Sequence, residues 1–240
     1  MTEEVSTSSE MGTFQKIIGI FTAPRQAFEA IDQQPTWFLP FIIAVCFFLV
    51  FQFMTVDIQM ADRVAYMESQ GEYSAEQLEQ IKTTMGGPVK YIGFVLGPIV
   101  WLIMNAIIAG IFLVAGNMMI GGESSFKKVF AIINWSGLIG IVGLIIMTFL
   151  VISKGTTNGV GLNLSIFLDT PPIGEEKSLP YLILSKFDVF TIWGIILWII
   201  GLSVSYKSTV QKATVPIISL WILWIIISVA FSDFFASLGM

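Results

Sequence analysis

The 240-residue sequence carries hydrophobic residues at 55% of its positions and charged residues at 12%, whereas an ordinary soluble domain is about 25% charged. Its net charge of −5, with lysines and arginines scattered along the chain, argues against a nucleic-acid-binding surface. The absence of histidine excludes Ser-His and Cys-His nucleophiles, HExxH zinc sites and haem ligation by histidine. We therefore expect a membrane protein without catalytic residues, metal or cofactor.

Several apolar runs are about 20 residues long, the length that a helix needs to cross a hydrocarbon core of ~30 Å. Because lipid offers no hydrogen-bond partner to the backbone, such runs must be helical when polar residues do not alternate along them. The pattern predicts an all-α polytopic membrane protein. We expect a disordered tail at 1–12, interfacial helices at 13–36 and a five-span membrane domain at 37–235.

Two short apolar stripes precede the first long apolar run. Apolar side chains recur at helical spacing from Phe14 to Phe21, and the pattern restarts after Pro24, a residue that suits the first turn of a helix. Short helices with one polar side are typical of the membrane interface, and packing against loops of the same protein is the alternative. The side chains expected to anchor these helices at the interface are Phe14, Ile17, Ile18, Phe21, Phe28 and Trp37.

The long apolar runs predict five spans. A polar stretch separates the first two, and within it Ser74 and Gln77 match a capping box, so an extramembrane helix should begin near Ala75 and end by Gly86. The predicted spans are about residues 37–56, 91–120, 129–152, 187–206 and 214–231.

The distribution of lysine and arginine predicts the orientation. The short turns at 121–128 and 207–213 each contain two lysines, whereas the longer loops on the opposite side have a lower density of positive charge. Because positive residues accumulate in cytoplasmic loops, we expect the N-terminus in the cytoplasm and the C-terminus outside.

Polar side chains at or inside the spans are candidates for ligand or partner contacts, since they are costly in a bilayer. Lys186 and Asp188 lie at the start of the fourth span. The lysine can reach the headgroups, and an interfacial anchor or an interhelical hydrogen bond is the alternative for Asp188. Asn105 and Asn134 are the most deeply placed polar residues. Either they form part of a polar pathway or they hydrogen-bond between helices.

Several short motifs follow one another along nearly the whole chain. They are Phe21-Thr22-Ala23-Pro24, Pro35-Thr36-Trp37, Ser74–Gln80, Gly121-Gly122 with Ser125-Phe126, and Lys186–Trp193 followed by Gly201-Leu202. In this order and spacing the sequence resembles the Yip domain family, named for proteins that interact with Ypt/Rab-type GTPases.

The resemblance implies a five-span bundle with a cytosolic N-terminus. The Asp-Leu-Tyr-Gly-Pro type signature of eukaryotic members is absent from this sequence. The sequence is therefore more similar to the prokaryotic branch, which implies a cytoplasmic (inner) membrane and gives no reason to assume a trafficking GTPase as partner.

Two classes of function follow. The first is a non-enzymatic membrane protein that acts through membrane lipids, other membrane proteins or a second copy of itself, in membrane organisation or trafficking. The alternative is a small transporter or channel for a lipid or an ion, although transporters usually have buried carboxylates or broken helices at the midplane. A third hypothesis, a lipid-modifying enzyme, would use the acidic face of Glu72, Glu76 and Glu79, a pattern more typical of a solvated surface.

Overall fold

The computed structural model describes residues 11–232, and within this range the structure is helical, without a β-strand. Positions 1–10 of the predicted tail and 233–235 of the predicted membrane domain lie outside the described residues. The helices are α1 (Thr13–Thr22), α2 (Pro24–Gln33), α3 (Phe38–Gln70), α4 (Ala75–Gly86), α5 (Ile92–Met119), α6 (Phe126–Ser136), α7 (Ile139–Lys154), α8 (Leu179–Leu184), α9 (Val189–Ser205) and α10 (Val210–Ala230). The predicted all-helical class is confirmed for these residues.

Four helical segments of the described chain are long and apolar enough to cross a membrane: α3, Pro88–Met119 with α5, Phe126–Lys154 with α6 and α7, and α10. Their outward faces carry large exposed apolar side chains, such as Phe53 on α3 and Phe149 on α7. α9 is also apolar but has 17 residues, or about 26 Å of helix. Length and composition thus support four crossings directly, and a fifth crossing depends on α9.

α3 is longer than the predicted first span. It continues past Val56 to Gln70, because the added turns are rich in alanine, methionine and glutamine, which favour a helix. The helix ends at Gly71, whose φ of +67° suits glycine. We call the part of α3 from 57 to 70 the α3 extension. It forms a polar wall at one end of the bundle, which we call the loop end because the loop 155–178 lies there too.

α4 begins where the capping box predicts. Ser74 Oγ accepts a hydrogen bond from the Gln77 amide at 3.2 Å, and the Gln77 side chain accepts one from the Ser74 amide at 2.8 Å. These two bonds satisfy amides that have no partner within the helix. The start of this extramembrane helix is therefore set by the local sequence.

The predicted third span is divided at Gly137 and Leu138 into α6 and α7. Ser136 and Gly137 stand side by side at the break, and a Gly/Ser pair is a common cause of a helix kink. The amide of Leu138 bonds the carbonyl of Trp135, and that of Gly140 bonds the carbonyl of Gly137, which are the i to i+3 bonds of a tighter turn. One apolar run thus forms two consecutive helices.

α1 and α2 form a closely packed hairpin that joins the core. A Cβ at Gly19 would lie only 3.0 Å from the Cβ of Ala27. The face that the hairpin turns inward includes Ile20, Phe28 and Ile31, all buried, and α2 packs against α9 and α6. This face of the hairpin therefore packs against helices of the same protein, whereas the alternative drawn from the sequence was packing against its loops.

Two polar contacts fasten the hairpin to α6. Lys128 Nζ lies 2.8 Å from Asp32 Oδ2, and Trp135 Nε1 donates a hydrogen bond to the carbonyl of Thr36 at 2.7 Å. Trp135 is itself buried, so the chain that leads from α2 into α3 is held against the interior of the bundle. We call this end of the molecule the hairpin end.

α9 begins inside the bundle rather than at its loop end. The ring of Phe187 packs on Trp221 with centroids 5.2 Å apart, and Trp221 lies near the middle of α10. Phe190 packs against Gly143, where a Cβ would meet its ring at 2.8 Å, and about 16 Å of α7 follow Gly143. The chain before α9 therefore runs from the loop end into the bundle beside α7 and α10. Because α9 starts at this depth, a recess is left at the loop end.

Candidate functional site

A cavity of about 1050 Å³ occupies this recess, slightly larger than the range of about 300–1,000 Å³ that is usual for small-molecule sites. Four parts of the chain form its walls: the α3 extension, the loop 155–178, α8 with the residues after it, and the last turns of α10. Representative side chains are Tyr66, Asn163, Tyr181 and Ser228. The wall therefore combines polar and apolar groups.

Asp62 on the α3 extension fixes the loop that forms one wall. Its carboxylate accepts hydrogen bonds from Thr156 Oγ1 at 2.8 Å and from both the amide and the hydroxyl of Thr157 at 2.5 Å. These threonines follow Gly155, which ends α7 with a φ of +70°. One carboxylate thus joins α3 to the end of α7, through bonds that its charge strengthens.

A second contact attaches the far part of the loop to the α3 extension. Gln70 Nε2 donates a hydrogen bond to the carbonyl of Gly174 at 3.4 Å. The φ of Gly174 is +89°, and a Cβ there would overlap the hydroxyl of Ser69, so both the conformation and the space require glycine. The wall is consequently attached to one helix at two places.

Two lysines, Lys177 and Lys186, line the cavity. The Lys177 ammonium lies 5.8 Å from the centre of the Tyr181 ring, within the range of cation–π attraction. Burial, and after it the positive charge of Lys177, lower the pKa of Lys186 from the usual value for lysine because both disfavour its charged form. Of the four predicted contact residues, Lys186 is the one in the cavity wall.

Asp188 serves as the N-cap of α9. Its Oδ1 accepts hydrogen bonds from the amides of Phe190 and Thr191 at 2.8 and 3.0 Å, which have no partner within the helix. Its backbone also pairs with Asn163 in an isolated antiparallel bridge. The carboxylate therefore caps its own helix and does not line the cavity. This cap fixes the start of α9 and, with it, the backbone position of Lys186 two residues earlier.

Asn105 and Asn134 bind each other. Asn105 Nδ2 donates to Asn134 Oδ1 at 3.2 Å, and Asn134 Nδ2 donates to the carbonyl of Phe130 at 2.8 Å. The pair joins α5 to α6 inside the bundle and takes no part in the cavity wall. This is the interhelical hydrogen bond that was the alternative to a polar pathway.

The six predicted interfacial anchors differ in their surroundings. Phe14 is 73% exposed and Ile18 is also exposed, so both point away from the protein. Phe28 is 1% exposed and packs against Gly201 of α9, so the prediction that it contacts the membrane interface is wrong. Partly buried against the core are Ile17, Phe21 and Trp37.

Comparison with known proteins identifies the family of this helical chain. The family model of the Yip1 domain matches residues 18–232, which include every residue of the cavity wall. The chain belongs to the Yip1 domain family. This match confirms the resemblance seen in the sequence and makes the Yip1 chain an integral membrane protein with several apolar helices.

A relative of this Yip1 chain comes from a bacterium. "Membrane protein YknW" of Bacillus subtilis (strain 168) is 24% identical over 196 residues, which are 78% of this chain and 76% of that protein. Its source agrees with the prokaryotic branch indicated by the sequence. No solved structure matches the chain.

The acidic residues considered for catalysis lie apart from the cavity of the Yip1 chain. Glu72, Glu76 and Glu79 are exposed on or just before α4, and none of them lines the cavity. Within residues 11–232, no three potential metal-ligating side chains come together.

Sequence reasoning did not single out Asp62, Lys177 or Tyr181 in this Yip1 chain. Asp62 meets threonines that lie 94 and 95 positions further along the chain, and a single sequence carries no signal for such a contact. Lys177 had a weak signal, because Glu175-Glu176-Lys177 is a charged run in an otherwise weakly charged loop.

Proposed function

We propose that this Yip1 family protein acts without enzymatic activity by binding membrane lipid in the cavity at the loop end, with a role in membrane organisation or trafficking. The composition of the cavity wall supports this most strongly. It includes the polar loop and two lysines together with Ile166, Leu179 and Trp224, apolar side chains that are each at least half exposed. A lipid has a polar head and apolar chains, so this wall offers partners for both.

The direction of the cavity along α10 also suits a lipid. Its wall follows α10 from Trp224 to Val229, about 8 Å of helix, from the apolar part of that helix toward the polar loop. A lipid whose chains lie along α10 would therefore place its head beside the loop. This orientation matches the gradient from hydrocarbon to headgroup across one leaflet.

Transport of a lipid or an ion is less well supported. A polar route through the bundle would have to use the most deeply placed polar side chains, Asn105 and Asn134. Their amides are occupied with each other and with the Phe130 carbonyl. This pairing favours a role in packing, so we place binding before transport.

We further propose five crossings of a prokaryotic cytoplasmic membrane, with the N-terminus inside and α9 as the fourth crossing. In a Cys46→Ser background, a membrane-impermeant maleimide added to intact cells should then label a cysteine placed at Glu176 but not one placed at Gln211. The reason is that these positions flank α9. Cysteines at Lys82 and Lys127 serve as references for the two faces. Labelling of positions 176 and 211 from the same side would contradict a crossing by α9.

Lipid binding itself is tested by what remains on the protein after delipidation. We expect the chain, extracted with surrounding lipid and washed with detergent, to retain about one phospholipid. Ser228→Leu should lose it, because Ser228 is buried in the cavity wall and a larger side chain would occupy the lipid position. Quantitative mass spectrometry of the retained lipid gives the measurement.

Thr214→Leu is the matched control. Its hydroxyl also bonds a carbonyl of α10, as that of Ser228 does, but it lies outside the cavity wall. Equal lipid retention by both variants, or none by the unaltered protein, would contradict binding in the cavity.

A further inference from the structure

The two ammonium groups of the cavity wall have no carboxylate partner among residues 11–232. Neither Lys177 nor Lys186 belongs to an ion pair there, and both line the same cavity. The ion pairs of the described residues are Arg25 with Glu29, Lys90 with Asp57 and Lys128 with Asp32.

The carboxylates near the cavity do not neutralise these lysines. Asp62 is occupied by three hydrogen bonds to Thr156 and Thr157. Glu175 and Glu176 line the cavity, but neither forms an ion pair with a lysine among the described residues. The wall thus offers two ammonium groups outside any ion pair to an anion in the cavity, although three carboxylates line the same wall.

Phosphate is an anion that two lysines of one wall can bind. The ammonium of a lysine binds phosphate as a point charge through three rotatable donors. A cation–π contact with the Tyr181 ring holds the Lys177 ammonium. Lys186 lies two residues before Asp188, the N-cap of α9. Both lysines therefore come from positions that the surrounding structure orders.

We infer that the cavity holds the phosphate of an anionic membrane phospholipid between Lys177 and Lys186, with the acyl chains directed along α10 past Trp224. This inference rests on the proposed lipid binding and adds to it the charge of the head and the residues that contact it. Free phosphate shares the anionic chemistry, but it would make no use of the exposed apolar side chains of Ile166, Leu179 and Trp224.

The test is a titration of the full chain in neutral detergent, followed by native mass spectrometry. The probes are dioctanoyl phosphatidylglycerol, dioctanoyl phosphatidylcholine and inorganic phosphate. We expect one phosphatidylglycerol per chain, bound at least about tenfold more tightly than the zwitterionic lipid. Lys186→Ala should weaken phosphatidylglycerol about tenfold or more, because a hydrogen bond between charged groups is lost, and Lys177→Ala should weaken it in the same direction.

Three further variants distinguish an effect of side-chain charge on lipid affinity from a loss of the folded structure. Lys186→Arg should keep most of the affinity because it keeps the positive charge. Glu175→Gln with Glu176→Gln should strengthen binding, since two negative charges leave the cavity wall. Lys82→Ala should change nothing, because Lys82 is an exposed lysine of α4 outside the cavity. The melting temperature of each variant shows whether it is folded.

Three results of this titration would contradict different parts of the proposal. Equal affinity for the two lipids, with no effect of Lys186→Ala, would overturn the anionic head but leave lipid binding in place. Binding of neither lipid would overturn both the inference and the proposed function. Inorganic phosphate that binds as tightly as phosphatidylglycerol and displaces it would overturn the lipid as the source of the phosphate.

Discussion

Replacing Phe28 by alanine will lower the free energy of unfolding by about 3–5 kcal/mol, the usual cost of truncating a buried phenylalanine. Phe28 is 1% exposed and packs closely on α9, where its Cδ1 lies 3.3 Å from the position that a Cβ would take at Gly201. A cavity at this point would remove packing between α2 and α9. Thermal unfolding in detergent micelles, followed by tryptophan fluorescence, measures the loss.

Phe14→Ala is the matched control. It removes the same side chain from the neighbouring helix of the hairpin, but Phe14 is 73% exposed, so we expect a change within about 0.5 kcal/mol. Similar losses for Phe14→Ala and Phe28→Ala would show that the hairpin is not packed as described.

Replacing Asp62 by alanine will release the loop 155–178 from the α3 extension without unfolding the bundle. Three hydrogen bonds to one carboxylate are lost, and we expect the free energy of local opening to fall by about 2–4 kcal/mol. The amide of Thr157, which bonds Asp62 directly, should then exchange its hydrogen at least about 30-fold faster. Hydrogen–deuterium exchange of peptides that cover residues 155–165 measures the effect.

Asp57→Ala provides the comparison on the same helix. Asp57 also makes a charged contact, with Lys90 at 3.0 Å, but its side chain is 83% exposed, and an exposed ion pair contributes at most about 1 kcal/mol. Exchange in the loop should therefore remain as in the unaltered protein. Unchanged loop exchange in Asp62→Ala would remove the assigned role of this carboxylate.

Features that depend on neighbouring residues could be predicted from the sequence. The start of α4 follows from the capping box at Ser74, and α5 at Ile92–Met119 nearly coincides with its predicted span at 91–120. In both cases the deciding information, a cap or the length of an apolar run, lies within the segment itself.

Features that depend on which element covers another could not be predicted. Phe14 and Phe28 lie on similar apolar stripes of adjacent short helices, and periodicity shows that each stripe needs a partner without showing which partner it finds. α9 packs on Phe28, whereas Phe14 stays exposed. The division of the third span had only a Ser-Gly pair as its signal, a combination that many continuous helices also contain.

Sequence reasoning predicted one residue of the candidate site. Lys186 was selected because charge at the edge of a span is costly, and it lies in the cavity wall. Asp188 was selected by the same rule, yet it caps a helix, because the cost of a charge does not reveal which donors satisfy it. The cavity itself arises from the depth at which α9 begins, which is a property of packing.

The unequal lengths of the helices have a consequence for the bilayer around the protein. α9 turns Val189, Ile192 and Ile196 outward over a helix of about 26 Å, whereas α5 exposes apolar side chains along about 42 Å. The hydrophobic perimeter of the protein is therefore uneven in height. We expect the surrounding leaflets to be thinner beside α9 than beside α5, at a cost of fractions of a kcal/mol per ångström of mismatch, so that the chain would favour regions where the membrane is already thin.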